Sequence, residues 1–166
     1  MKLDELNDCL RRIEPSYAAE LTELVNTHEK VIVLGNGGSS AIASHITQDY
    51  TKKLKKRSFT FSDPSRLTCY INDYGMDRAY AQFLSEFVDI STLVILISSS
   101  GNSQNILNCA DLCRSLNLKY VIMTGFNENN SLRENHSLSA ALDIWVDSKD
   151  YGVVECIHQI LLHLPA

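Results

Sequence analysis

Two polar turns and one scattered set of ionisable side chains are the parts of this 166-residue chain that could do chemistry. Gly35-Asn36-Gly37-Gly38-Ser39 carries three glycines, so its backbone can approach a ligand while the first N–H groups of a following helix face it. Ser98-Ser99-Ser100-Gly101-Asn102-Ser103 places four hydroxyls around one glycine. Hydroxyls and backbone N–H groups directed at one point make a phosphate cradle. A helix N-cap would require Ser103 alone and not the three serines before it. No Walker lysine follows, which disfavours a nucleoside triphosphate and favours a monophosphate on a small metabolite. The first turn nearly meets the dinucleotide fingerprint, with Asp63 about twenty-five residues further on, but Ser40 stands at the third glycine. A nicotinamide cofactor is disfavoured on that ground, and no nucleotide cofactor is expected.

His45 and Asp49 are four residues apart, the spacing that puts two side chains on one face of a helix. Glu155 and His158 are three apart, and Glu155 and His163 eight apart, close to two full turns on one side. His45, Asp49, Glu155 and His163 suit either a metal site or an acid/base pair. His158, taken singly, reads as a structural or surface histidine.

The elements that must position these residues follow from hydrophobic periodicity. Leu3, Leu6, Leu10 and Ile13, then Tyr17, Leu21, Leu24 and Val25, recur at helical spacing on either side of Pro15 and predict two N-terminal amphipathic helices within residues 1–29. Their apolar stripes, set before a sheet that its own crossover helices can cover, predict a homo-oligomer. Residues 31–34 and 93–97 are short β-branched and aliphatic runs that predict strands buried on both faces. Residues 58–62, 120–124 and 144–146 predict three more strands, the first of them closed by Asp63-Pro64. Helices are predicted over 40–55, around Tyr80, Phe83, Leu84 and Phe87, around Ile106, Cys109, Cys113 and Leu116, and over 153–164. Strands alternating with helices predict an α/β fold with a five-stranded parallel sheet covered on both faces. In such a sheet a ligand sits at the carboxyl ends of the strands, here the turns after Leu34 and Ile97. Residues 30–166 form the α/β core of one domain in this reading, since the length suits one domain and no linker or repeat interrupts it.

Composition narrows the classes. Hydrophobic residues make up 45% and charged residues 21%, which suits a folded core and excludes a disordered or collagen-like chain. No apolar run approaches the roughly 18 residues that span a bilayer, and no signal-peptide core is visible, so a cytoplasmic protein without a membrane partner is expected. A net charge of -5 disfavours nucleic acid as a partner. Five of the fifteen basic residues fall in one short window, Lys52, Lys53, Lys55, Lys56 and Arg57. They suit a solvated helix C-terminus or, alternatively, a supporting field for an anionic substrate. The five cysteines contain no C-x-x-C pair and read as small buried hydrophobes.

Taken together, Gly35-Asn-Gly-Gly-Ser39, His45-x-x-x-Asp49, Asn72-Asp73-Tyr-Gly75, Ile97-Ser-Ser-Ser-Gly-Asn-Ser103 and Glu155-x-x-His158-x-x-x-x-His163 resemble the sugar isomerase (SIS) domain family, in order from about Lys30 to His163. The resemblance implies a flavodoxin-like three-layer sandwich, a homotetramer with sites at subunit contacts, and interconversion of a ketose phosphate with its aldose. It implies that Ser98, Ser99, Ser100 and Ser103 hold the phosphate, that Asn36, Gly37, Gly38, Ser39 and Asp73 line the sugar chain, and that His163 takes the place of the histidine acid/base beside His45. Asp49 stands where the family usually has a catalytic glutamate, and Glu155 where it usually has a glutamine. Either Glu155 is then the base and Asp49 orients His45 or a metal, or Asp49 remains the base. Some members hold zinc at these four positions, so zinc on His45, Asp49, Glu155 and His163 is a further implication of the resemblance.

Overall fold

The computed structural model describes residues 3–166, so the first two positions of the helical segment expected over 1–29 lie outside the described residues. Five strands, β1 (Lys30–Gly35), β2 (Arg57–Phe59), β3 (Thr92–Ser98), β4 (Lys119–Thr124) and β5 (Leu142–Trp145), pair in parallel in the order β2-β1-β3-β4-β5. That is the flavodoxin-like order, whose direction of winding reverses between β1 and β3.

The period-two alternation of the central strands sorts the core into two halves. Val31, Val33, Leu93, Ile95, Ile97, Val121 and Met123 face α1 (Leu3–Arg12), α2 (Ser16–Thr27), α3 (Gly38–Leu54) and α8 (Tyr151–His163). Ile32, Leu34, Val94, Leu96 and Ile122 face the other layer, α4 (Pro64–Tyr74), α5 (Met76–Phe87), α6 (Gln104–Ser115) and α7 (Ser131–His136). The result is an α/β/α sandwich. β3 is buried along its whole length, as its unbroken aliphatic run requires.

Several expectations are corrected. β2 is shorter than the predicted 58–62 and stops at Phe59, because the chain leaves the sheet edge to enter α4. Asp63 and Pro64 do not close a strand. Asp63 caps α4 by accepting from the Arg66 N–H at 2.7 Å, and Pro64 occupies the first turn, where its missing N–H costs nothing. Helix α4, which is not among the predicted helices, buries no residue fully, although Leu67, Tyr70 and Ile71 recur at helical spacing and pack against the core. α7 has only six residues, too few to show a period. β5 begins two residues before the predicted 144–146 and ends at Trp145.

The premise behind the oligomer expectation also changes. Leu21 and Val25 are fully buried, and Leu6, Leu10, Ile13, Tyr17 and Leu24 pack partly buried against the chain's own core, so much of the N-terminal stripes is used within the chain, although Leu3 stays exposed. Cys9, Cys109 and Cys113 are buried as expected, whereas Cys69 is exposed on α4 and Cys156 is half-buried on α8. The basic window caps helix ends. Lys55 ends α3 in a left-handed conformation, φ 58°, and Lys56 donates to the carbonyls of Asn26 and His28 at 2.7 and 2.8 Å at the carboxyl end of α2. Among the described residues no helix is long and apolar enough to cross a membrane.

His158 is fully buried in α8 and meets the Thr124 carbonyl at 3.1 Å. Burial disfavours the imidazolium and lowers its pKa from 6.5 to about 4. Between those values the unfolded chain binds a proton that the folded chain does not. The contribution is therefore complete above about pH 6.5 and is lost as the pH falls toward 4, by on the order of 3 kcal/mol. We expect the urea midpoint of the wild type to drop more between pH 7 and pH 4.5 than that of His158→Gln, whereas equal drops would show that His158 titrates normally.

Candidate active site

The two polar turns meet where the sheet reverses its winding. β1 runs into α3 on one face and β3 leads to α6 on the other, so the chain splays apart beyond Gly35 and Ser98 and leaves a crevice. A cleft of about 230 Å³ lies there, lined by Asn36, Gly37, Gly38 and Ser39 from the first turn, Ile97, Ser98, Ser99, Ser100 and Ser103 from the second, and Tyr151 and Glu155 from α8.

The serine turn is tightly built. Gly101 N–H donates to the Ser98 carbonyl at 2.9 Å, the Asn102 N–H meets Ser100 Oγ at 3.3 Å, and the Ser98 and Ser103 hydroxyls lie 3.3 Å apart. Gly101 adopts φ 67°, and a Cβ there would fall 1.9 Å from Asn130 Oδ1, so both conformation and space demand glycine. The hydroxyls are not equivalent. Ser99 Oγ is fully buried and has no protein hydrogen-bond partner, so its hydroxyl faces inward although its residue lines the cleft.

Asn36 and Asn105 exchange side-chain amide hydrogen bonds of 2.9 and 2.8 Å and so tie the first turn to α6 across the crevice. The sequence motifs do not single out Asn105 or Tyr151. Asn105 lies two residues past Ser103, and Tyr151 lies four before Glu155 on the same helix face, which are the signals that could have found them. Asp73 is not brought to the cleft. It is exposed on α4, where it accepts from the Asn72 side chain at 3.0 Å and lies 3.6 Å from Cys69 Sγ.

The four ionisable candidates separate into two places. Glu155 lies against the amino end of α3, so close that a Cβ on Gly38 would fall 2.4 to 2.6 Å from its carboxyl group. Glycine at that position is what lets the carboxylate reach the cleft. His45, Asp49 and His163 gather further along the paired helices, eight residues or about 12 Å beyond Glu155 on α8. Asp49 Oδ2 lies 3.7 Å from His45 Nε2 and 3.5 Å from His163 Nδ1, and the imidazole centroids are 5.1 Å apart at 76°. Lys53 donates to the same oxygen at 3.0 Å. That hydrogen bond, reinforced by the charge of Lys53 and by the two histidines, holds the Asp49 carboxyl below its ordinary range.

Among the described residues this trio is the one group whose ligand atoms, all within 4.8 Å of one another, could hold a metal ion. Two imidazole nitrogens and a carboxylate oxygen are the donor set of an open zinc site, and ligands around tetrahedral zinc stand roughly 3.3 Å apart for bonds of about 2.0 to 2.1 Å. The donor types suit a divalent metal, whereas the spacings of 3.5 and 3.7 Å are wider than that and Lys53 occupies the carboxylate oxygen such a metal would need. Glu155, expected as a fourth ligand, is not part of the group. A second groove, lined by Gly38, Ala41, Ile42, His45, Gly152, Glu155, Cys156 and Gln159, shares Gly38 and Glu155 with the cleft and continues it toward His45.

No family model matches the chain. Curated proteins do. It is 27% identical over 161 residues to a phosphoheptose isomerase of Fusobacterium nucleatum, covering 93% of this chain and 79% of that protein. It is 26% identical over 136 residues to the phosphoheptose isomerase of Sodalis glossinidius, covering 79% of this chain and 66% of that one. Among solved structures, a phosphoheptose isomerase from Neisseria gonorrhoeae superposes with a TM-score of 0.87 at 21% identity, over 98% of this chain and 89% of the other. The fold is that of the phosphoheptose isomerases. Against these relatives the chain spans about two thirds to nine tenths of their length.

Proposed function

We propose that this chain is an aldose-ketose isomerase acting on a sugar phosphate, converting sedoheptulose 7-phosphate to D-glycero-D-manno-heptose 7-phosphate through an enediolate. One observation carries the reading: at the point where the sheet reverses, a serine turn suited to phosphate faces a carboxylate across a single cleft. The similarity to proteins named phosphoheptose isomerase supports the choice of a seven-carbon substrate. The same reading takes the protein as cytoplasmic, as a supplier of heptose for surface polysaccharide, and as a homotetramer on the resemblance alone.

Moving the carbonyl from C2 to C1 requires a base to take a proton from the carbon beside the carbonyl, donors to stabilise the enediolate, and an acid to return the proton. In our reading Ser98, Ser100 and Ser103 hold the phosphate with the backbone N–H groups of their turn, and binding far from the reacting carbons supplies orientation. Glu155 acts as the base. It sits by the amino end of α3, whose dipole favours an ionised carboxylate. His45 lines the groove that continues from Glu155, with the His163 ring beside it, and the two serve the oxygens of the reacting end. His45, Asp49 and His163 offer the donor types for zinc, which when bound supplies a Lewis acid for a carbonyl oxygen. A phosphosugar-binding module without turnover would need the cradle alone, and a carboxylate brought to the cleft through a glycine contact favours the enzyme.

A proton NMR time course with sedoheptulose 7-phosphate tests the reading. Aldose signals should grow to a fixed ratio, and incubation with a chelator should slow them if zinc is resident. Binding of the sugar with no new signals would leave the protein a binding module.

Replacing both Ser98 and Ser100 by alanine should weaken phosphosugar binding by roughly 2 to 4 kcal/mol, at about 1 to 2 per charge-assisted hydrogen bond. Unchanged affinity by calorimetry in the double variant would move the phosphate to another place.

A further inference from the structure

Buried polar groups in folded proteins are nearly always hydrogen-bonded, so those that are not call for an explanation. Three such atoms, Ser99 Oγ, Thr124 Oγ1 and His158 Nδ1, belong to residues joined behind the serine turn at the carboxyl ends of β3 and β4, where a single buried water could serve all three. The link between their residues is short. His158 meets the Thr124 carbonyl through Nε2 at 3.1 Å, and the next residue, Gly125, donates its N–H to the Ser99 carbonyl at 3.0 Å. Val154, one turn before His158 on α8, closes over Gly125, and a Cβ there would fall 2.7 Å from the valine methyls and 3.3 Å from the Ser99 carbonyl oxygen.

The chemistry of the Ser99 and His158 atoms is complementary. A carbonyl only accepts, so Nε2 must carry the hydrogen and Nδ1 of the neutral ring is a bare acceptor. Ser99 Oγ is a hydroxyl with a hydrogen to give, and the cleft offers it no path to a ligand because the oxygen is fully covered. We infer that His158 is a positioning residue for the phosphate turn: its Nδ1 takes the Ser99 hydroxyl hydrogen through one buried water, since the two atoms do not bond each other directly. Ser99 is thereby anchored to the interior and presents its backbone, not its hydroxyl, to the phosphate. The inference rests on the serine turn being the phosphate site, and it reverses the part of Ser99 expected from the sequence.

Glutamine can place an amide nitrogen near the position of Nε2 and keep the bond to Thr124, but it has nothing at Nδ1. Inorganic phosphate binding by calorimetry is therefore compared in wild type, His158→Gln, Ser99→Ala and the double variant, with melting temperature recorded at pH 7 for each. We expect each single variant to bind phosphate about five- to tenfold more weakly, what one net hydrogen bond contributes, and the double variant to be no weaker than either single one. Wild-type affinity in His158→Gln, or losses that multiply in the double variant, would overturn the link. A second measurement needs neither ligand nor turnover. Nitrogen-15 NMR of the His158 ring in the wild-type protein should show the Nε2–H tautomer with a hydrogen-bonded Nδ1, and in Ser99→Ala the Nδ1 resonance should move toward its unbonded position. An Nδ1 resonance that does not respond to Ser99→Ala refutes the inference, even if phosphate proves to bind nowhere near the turn.

Discussion

Glu155→Gln is expected to lower turnover by about 10²- to 10⁴-fold while phosphate still binds, because a general base is removed and the cradle is left intact. The physical ground is reach. A base must come within roughly 2.6 to 3.2 Å of the proton it takes, and Glu155 is the candidate carboxylate that lines the cleft. Asp49 is a methylene shorter, lies about 16 Å along α3 from Gly38, and is held by Lys53 at 3.0 Å. Asp49→Asn should accordingly cost less and act on the His45–His163 cluster. Steady-state kinetics on the two single variants decide the assignment. Near-normal turnover in Glu155→Gln together with an inactive Asp49→Asn would place the base on α3 instead.

Gly101→Ala should lose phosphate binding and about 2 to 4 kcal/mol of stability at once. The residue has φ 67°, which alanine adopts only under strain, and the new Cβ would need to displace an oxygen 1.9 Å away. That oxygen belongs to Asn130, which is 1% exposed, caps α7 by accepting from the Arg133 N–H at 3.1 Å, and donates to the Asn127 carbonyl at 2.8 Å. The turn and the cap cannot both keep their positions, so relief on one side breaks hydrogen bonds on the other. Urea denaturation with phosphate calorimetry measures both effects, and a wild-type midpoint with wild-type affinity would show that the turn is soft.

Much of the fold is legible in the sequence because its signals are local. The runs at 31–34 and 93–97 are short, β-branched and closed by polar turns, which favours strands buried on both faces, and α/β alternation then favours parallel pairing with helical crossovers. The residues alone assign the two polar turns to one site, since both follow buried strands and ligands collect at those ends. Elsewhere the signal is ambiguous or short: α7 has six residues, and the Asp63-Pro64 pair serves equally well to end a strand or to begin a helix, which hid α4 although Leu67, Tyr70 and Ile71 keep helical spacing.

The spacing of His45, Asp49, Glu155 and His163 along two helices determined that they could share a face, but not how far α8 slides along α3. Tertiary packing settles that through Gly38, whose missing side chain lets Glu155 approach the cleft, and so parts Glu155 from the three residues gathered lower on the same helices. Packing likewise leaves Asp73 exposed on α4 and brings Asn105 onto Asn36 across 69 residues of chain. Residue type and helical period fix what each group can do and which way it faces along its own element. Distances between elements arise only when side chains of particular volume close over particular gaps, so the pattern named the chemistry and the packing decided which groups can meet.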